Sequence, residues 1–353
     1  MAALATDAKF HMPDEGHVHK RTVMAWPGHN NPNYQEDGSL WRMKKEISAI
    51  AKAISNFEAV TLLVDCEQAA EAQRMFSNAG QYGVEVNPIG MDNLEPWMRD
   101  VAPTFVCSEH SETALYGVDF NFNGWGGRYP SISSKHLARQ FLMDRNIPRV
   151  ESSIVVEGGA LELDGEGTLL ATESSILNPN RNPNVTRETI EQELHRVLGV
   201  SKVIWVPGVR DQDVTDAHID ALVRFAAPGK VVMSRPTADN DVWMNVYNAT
   251  RHVLLQSTDA KGRRFVLIVL PEADVNDLGV AEADMVTGYV NYLLVNGGII
   301  APRFGTRKAD AKAKEILQNL FPDRQLVQVY LNEVGINGGG IHCMTQQIPV
   351  CTN

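Results

Sequence analysis

The sequence is short of cysteine, of long apolar runs and of positive charge, and each shortage excludes something. Its 353 residues hold four cysteines, Cys66, Cys107, Cys343 and Cys351. No two stand in a C-x-x-C spacing, which argues against a zinc ribbon or a thioredoxin-type pair. A chain this long with so few thiols does not read as a disulfide framework. Cys66 and Cys107 follow strand-like segments and read as core fillers or inert thiols, and Cys351 as part of a fraying tail. No apolar run approaches the length that spans a bilayer. Met1 to Pro13 carries neither a basic region nor a long apolar core, so no secretory leader is expected and the expected location is cytoplasmic. Lys and Arg number 32 against 43 Asp and Glu, a net charge of -11. That deficit argues against nucleic acid or an anionic membrane as partner and suits a cationic small molecule, although solubility alone would also account for it.

What is present reads as one α/β domain over residues 1–353. Hydrophobic content of 44% with 21% charged residues is ordinary for a chain with a packed core. Met43, Ile47, Ile50 and Ile54 recur on one helical face and predict a helix from Leu40 to Ser55. Ile190, Leu194 and Val197 do the same between a cap at Thr186 and a stop at Gly199. Ala309, Ala313, Ile316 and Leu320 mark a third helix, stopped by Pro322, and Leu137, Phe141 and Leu142 a fourth before Pro148. Short apolar runs between them predict strands at Val60–Val64, Thr104–Cys107, Ile154–Val156, Thr168–Thr172, Val203–Val206, Val231–Ser234, Phe265–Leu270, Ile299–Pro302 and Leu326–Tyr330. No polar linker divides the chain. Double glycines recur at 126–127, 158–159, 297–298 and 338–340, each beside a strand-like or aromatic segment, as an internally repeated unit would place them; chance among 27 glycines accounts for them equally well.

The chemistry points to a few residues. Gly338-Gly339-Gly340 runs through Ile341-His342 into Cys343. Glycine lets a ligand come close to the backbone, and a cysteine just after it can act as a nucleophile once ionised. A buried structural thiol is the plain alternative. With 341–345 extended, His342 and Cys343 point to opposite faces, so the base must come from elsewhere. His218 is the best candidate, crowded by Asp213, Asp216 and Asp220; in an extended segment it shares a face with Asp220. Nearby acids favour the imidazolium, which helps a thiol ionise and can donate a proton later. A solvated acidic loop or a divalent-metal site remains open for this segment. Asp100 and Glu157 stand in apolar surroundings where an unpaired charge is costly. Asp100 has a salt bridge with Arg99 or a turn cap as its plain reading, and Glu157 a strand-end acid facing water.

Several ordered motifs resemble the agmatine deiminase family, within the guanidino-group-modifying superfamily, along nearly the whole chain. They are Met12-Pro13-Asp14-Glu15 with Met24-Ala25-Trp26-Pro27; Trp97-Met98-Arg99-Asp100 with Pro103-Thr104-Phe105; and Phe122-Asn123-Gly124-Trp125-Gly126-Gly127-Arg128-Tyr129. Val156-Glu157-Gly158-Gly159, Leu177 to Pro183, and His218-Ile219-Asp220 with Arg224-Phe225 follow. Gly338 to Gln347 close the series, with Asn337 where a first glycine is usual. The resemblance implies a pentein-type five-bladed α/β propeller of pseudo-symmetric ββαβ units. It implies that Cys343 attacks the guanidinium carbon to form an amidino-thioether, and that His218 protonates departing ammonia and then activates water. Asp100 and Asp220 would hold the guanidinium nitrogens and Glu157 would orient His218. Trp97, Trp125, Gly338 and Gly339 would contact substrate. No metal or organic cofactor is implied, and the expected partners are a cationic guanidino molecule and copies of the chain in a homodimer or larger homo-oligomer.

Ala217, Glu95 and Ala102 depart from frequent family residues, and Asp284 to Tyr292 matches loosely, through Tyr289, Asn291 and Tyr292. These departures bear on the distal end of the pocket. The leading expectation is hydrolysis of agmatine to N-carbamoylputrescine and ammonia. Arginine as substrate would call for a cation facing its carboxylate, with Arg128, Arg181, Arg303 and Arg307 as candidates. Amidino transfer and simple guanidino binding are the remaining readings.

Overall fold

The protein is described from a computed structural model covering residues 9–351, apart from 37, 92, 109–113, 130, 238–240 and 279–284. Residues 1–8, within the segment 1–13 read above for a leader, and Asp284 of the loosely matching loop lie outside the described residues.

The described residues form five small sheets. In four of them, antiparallel neighbours are followed by a helix that returns to add a parallel strand. Thr104–Ser108 and Leu115–Asp119 pair antiparallel, helix Ile132–Asp144 follows, and Arg149–Glu151 joins in parallel. Glu162–Leu163 and Thr168–Thr172 lead through helix Arg187–Leu198 to Lys202–Val206. Val223–Ala227 and Lys230–Arg235 lead through helix Asp241–Gln256 to Val266–Pro271. Leu293–Val295 and Gly298–Arg303 lead through helix Arg307–Leu320 to Gln325–Tyr330. The remaining sheet joins the two ends of the chain. Gln346–Pro349 pairs antiparallel with His19–Ala25, which continues through helix Ser39–Ile54 to the parallel strands Val60–Asp65 and Val84–Ile89. The catalytic cysteine candidate, only a few residues before Gln346, is thereby fixed to the N-terminal sheet.

Local chemistry explains the elements that the sequence predicted. Met43, Ile47, Ile50 and Ile54 are all buried on one face of Ser39–Ile54. Thr186 caps the next predicted helix by accepting from the Thr189 N–H, and Gly199 ends it at φ 71°, where a side chain is disfavoured. A Cβ on Gly199 would also lie 1.9 Å from the Phe10 carbonyl oxygen. Two expectations are corrected. Ile154–Val156 forms no strand; it leads into a 3-10 turn at Gly158–Ala160. Cys107 and Cys351 are joined in a disulfide with Cα atoms 5.5 Å apart. Cys107, although buried as a core filler would be, is therefore not an inert free thiol, and Cys351 is tied down and not part of a frayed tail. The pairing follows from the C-terminal segment running beside the sheet that holds Cys107, across a separation of 244 residues that no local spacing reveals. No helix among the described residues is long and apolar enough to cross a membrane.

Candidate active site

Residues 337–345 run in turns rather than a strand, contrary to the extended reading. The Met344 N–H bonds the Ile341 carbonyl (3.2 Å) and the Thr345 N–H that of His342 (3.1 Å). Glycine serves packing here as much as access. A Cβ on Gly339 would lie 2.2 Å from the Trp97 ring, and one on Gly340 2.4 Å from Asn291 Oδ1. Asn291 in turn holds the cysteine: its Oδ1 accepts from the Cys343 N–H (3.3 Å) and lies 3.4 Å from Sγ. Sγ is 3.8 Å from Asp220 Oδ2.

His218 stands at the start of a 3-10 turn, Ile219–Ala221, instead of in an extended segment. The preceding Asp216 and Ala217 have φ of 60° and 64°, a conformation glycine adopts more readily, which is the physical sense of the departure at Ala217. The imidazole is buried between carboxylates. Nε2 lies 3.2 Å from Glu157 Oε2 and Nδ1 3.7 Å from Asp100 Oδ1. Burial opposes the charged ring, but Asp100, Glu157 and Asp220 outweigh it and raise its pKa to about 9. His218 is therefore an imidazolium at neutral pH. Burial also opposes the charge on Glu157, but the hydrogen bond from His218 and the Arg181 guanidinium outweigh it and keep Glu157 below the usual carboxylate range. Arg181 donates from Nε to Glu157 (3.0 Å) and also pairs with buried Asp216, which Arg128 grips with both terminal nitrogens at 2.6 and 2.8 Å. Arg128 and Arg181 thus belong to the support behind His218.

Asp100 accepts from the Gly159 N–H (3.0 Å) through Oδ1 and from Trp125 Nε1 (2.9 Å) through Oδ2. Asp220 accepts from His342 Nδ1 through Oδ2 (2.7 Å), while its buried Oδ1 has no hydrogen-bond partner. His342 Nε2 contacts Glu15 Oε2 (2.7 Å), so both its ring nitrogens are engaged by carboxylates and neither serves Cys343. Burial opposes ionisation of Asp220, but His342 and His218 outweigh it and hold Asp220 low. Burial pushes the Cys343 thiol well up, and the Asp220 and Asp100 charges push it further, which favours the protonated thiol.

One position gathers these groups. A Cβ built on Gly159 would lie 2.6 Å from His218 Nδ1, 2.9 Å from Asp100 Oδ1 and 3.1 Å from Asp220 Oδ2. Only glycine leaves that space open. Gly159→Ala should cut kcat/KM by about 100-fold or more while the fold persists, because the methyl fills the clasp. Steady-state kinetics alongside a thermal unfolding curve checks this; an active alanine variant would show that substrate sits elsewhere.

His218, Asp220, Gly338, Gly339 and Cys343 all line one cavity of about 230 Å³. Asp100, Glu157, Trp97 and Trp125 are not part of its lining. Asp100 and Glu157 contact His218, Trp125 bonds Asp100, and Trp97 packs on Gly339. Asn291, His342 and Arg181 were not assigned these roles from sequence. The first two had only their motif positions as a signal, and Arg181 reads from sequence as a carboxylate anchor. Among the described residues no group of three or more His, Cys, Asp or Glu side chains is disposed to hold a metal ion.

Known proteins carry the same arrangement of chain. The family model described as Porphyromonas-type peptidyl-arginine deiminase matches residues 11–349. The agmatine deiminase of Ectopseudomonas mendocina is 36% identical over 96% of this chain and 95% of its own length, and that of Pseudomonas putida is similar to the same extent. The solved structure of the Enterococcus faecalis agmatine deiminase, described as catalysing its reaction, superposes with a TM-score of 0.87 at 30% identity, covering 98% of this chain and 97% of that one. The chain belongs to the Porphyromonas-type peptidyl-arginine deiminase family.

Proposed function

We propose that this chain is a hydrolase that converts agmatine and water into N-carbamoylputrescine and ammonium through a covalent intermediate on Cys343. The observation that carries the reading is the clasp around Gly159, where an imidazolium and two carboxylates face one small space. The unpartnered Oδ1 of Asp220 is an acceptor for a guanidinium N–H, and a planar cation between Asp100 and Asp220 satisfies it. The arriving cation also cancels the two charges that hold the thiol proton. Cys343 then loses that proton to solvent and attacks the guanidinium carbon as thiolate. His218 gives its proton to the departing nitrogen, the C–N bond breaks, and ammonia leaves an amidino-thioether. Neutral His218 next removes a proton from water, whose oxygen bonds the same carbon. The C–S bond breaks with its electron pair going to sulfur, and the second water proton leaves the new C–O group to reprotonate that sulfur. The product is the neutral ureido group. Ammonia takes up the proton that Cys343 first gave to solvent and departs as ammonium. Glu157, backed by Arg181, holds His218 in place throughout.

The cavity favours agmatine over arginine. Its described lining contains no Lys or Arg to meet an α-carboxylate. Arg128 and Arg181 are engaged by Asp216 and Glu157, and Arg303 lies over the Tyr330 ring. Agmatine, arginine and a peptide-bound arginine, offered separately with ammonia and ureido product measured, test this: agmatine should be turned over best. Turnover of arginine but not agmatine would overturn the substrate assignment. We read the whole chain as one domain, its five sheets as the blades of a pseudo-fivefold propeller, and the enzyme as a cytoplasmic homo-oligomer that needs no metal or organic cofactor.

A further inference from the structure

The cavity runs away from Cys343 to a carboxylate that the chemistry at the sulfur does not use. Glu272 lies just beyond strand Val266–Pro271 and lines the cavity together with Met233, Trp243, Tyr247, Met285 and Val290. Its Oε1 accepts from Ser234 Oγ (2.7 Å), and among the described residues no basic side chain lines the cavity beside it. Burial raises its pKa, and the Ser234 hydrogen bond opposes this only in part. The other acid in the lining away from the sulfur, Asp213, is already engaged by the Thr215 N–H, the Thr215 hydroxyl and the Ala217 N–H. Glu272 is tied to the reacting end by one turn. A Cβ on Gly288 would lie 3.9 Å from Glu272 Oε1, and the Gly288 carbonyl accepts from the Asn291 N–H (3.4 Å). Asn291 Oδ1 in turn lies 3.4 Å from the Cys343 sulfur. A turn of this kind brings its first and fourth Cα atoms within about 7 Å. A short methylene chain held at the sulfur therefore has apolar walls along its length and an acceptor at its far end.

We infer that Glu272, oriented by Ser234, is the residue that selects a cationic tail by binding the terminal ammonium of an aminoalkylguanidine. A buried charge needs a paired charge, and here each supplies the other's. Trp243 and Tyr247 line the same cavity, and aromatic rings are favourable neighbours for a cation. The inference rests on the guanidino-hydrolase reading above and specifies its substrate class.

The test compares agmatine with n-butylguanidine, which has the same carbon arm and no amine, in the parent enzyme and in Glu272→Gln and Ser234→Ala. Glutamine keeps the shape and removes the charge. The preference for agmatine, as the ratio of the two kcat/KM values, should fall roughly 10- to 100-fold in Glu272→Gln. The loss should appear in the agmatine KM. Ser234→Ala should move the ratio the same way by less. If the parent prefers agmatine, a ratio left unchanged in Glu272→Gln, including one left so by an equal proportional loss on both substrates, would overturn this inference alone. A parent that ignored agmatine altogether would overturn the substrate assignment and this inference with it.

Discussion

Cys343→Ser should lower agmatine turnover by roughly 10⁴-fold or more, because a hydroxyl cannot supply the nucleophile that a sulfur ionised by its bound substrate does. The effect should fall on kcat, since the groups that clasp the guanidinium are untouched. The backbone N–H at this position still reaches Asn291 Oδ1, so the loop has no reason to move. Cys66, the other free cysteine among the described residues, is exposed and does not line the cavity, so it offers no substitute. Ammonia release by parent and variant, at saturating and at low agmatine, checks the expectation. A variant within tenfold of the parent would remove the covalent route.

His218→Asn should cost about 10³-fold, since one residue serves as acid in the first half-reaction and base in the second. The pH dependence carries the sharper signature. In the free enzyme the thiol is protonated and His218 is charged, with a pKa of about 9. Attack requires the sulfur to lose its proton while His218 keeps its own. Below about 9 the reacting state holds one proton fewer than the free enzyme, so kcat/KM rises with pH. Above about 9 His218 has already lost that proton, the gain in thiolate is cancelled, and the profile levels off. The bend near 9 should vanish in His218→Asn. A parent profile that is flat across neutral pH would contradict the assignment of these protonation states.

How far the sequence could reach depended on how local each signal was. The helix between Thr186 and Gly199 was legible because its cap, its stripe and its left-handed stop lie within one short window. Helix Asp241–Gln256 was not recognised: only Val246, Tyr247, Thr250 and Leu254 are buried, a stripe that includes a polar Thr and so shows a weak apolar period. The strand His19–Ala25 opens on His, Lys and Arg, and earns its place through pairing on both sides. Ile154–Val156 looked like a strand because apolar residues precede an acid, yet it has no ladder partner. In the site, Cys343 and His218 stood out from their own neighbours, and ordered motifs tied Asp100, Glu157 and Asp220 to them. His342 was set aside on an alternation argument that fails because the segment turns. Its bonds to Asp220 and Glu15 span 122 and 327 residues of chain, and no local pattern carries that information. The Cys107–Cys351 pairing was hidden for the same reason. Glu272 gave no signal in sequence, where it reads as one surface acid among many.

The covalent intermediate is where the account is most exposed. Acid quenching during turnover of agmatine, followed by intact-mass measurement and peptide mapping, should find a fraction of the enzyme heavier by agmatine less ammonia, with the added mass on the peptide holding Cys343. Enzyme that turns over agmatine at full rate while carrying no such adduct, or carrying it on another residue, would contradict the account.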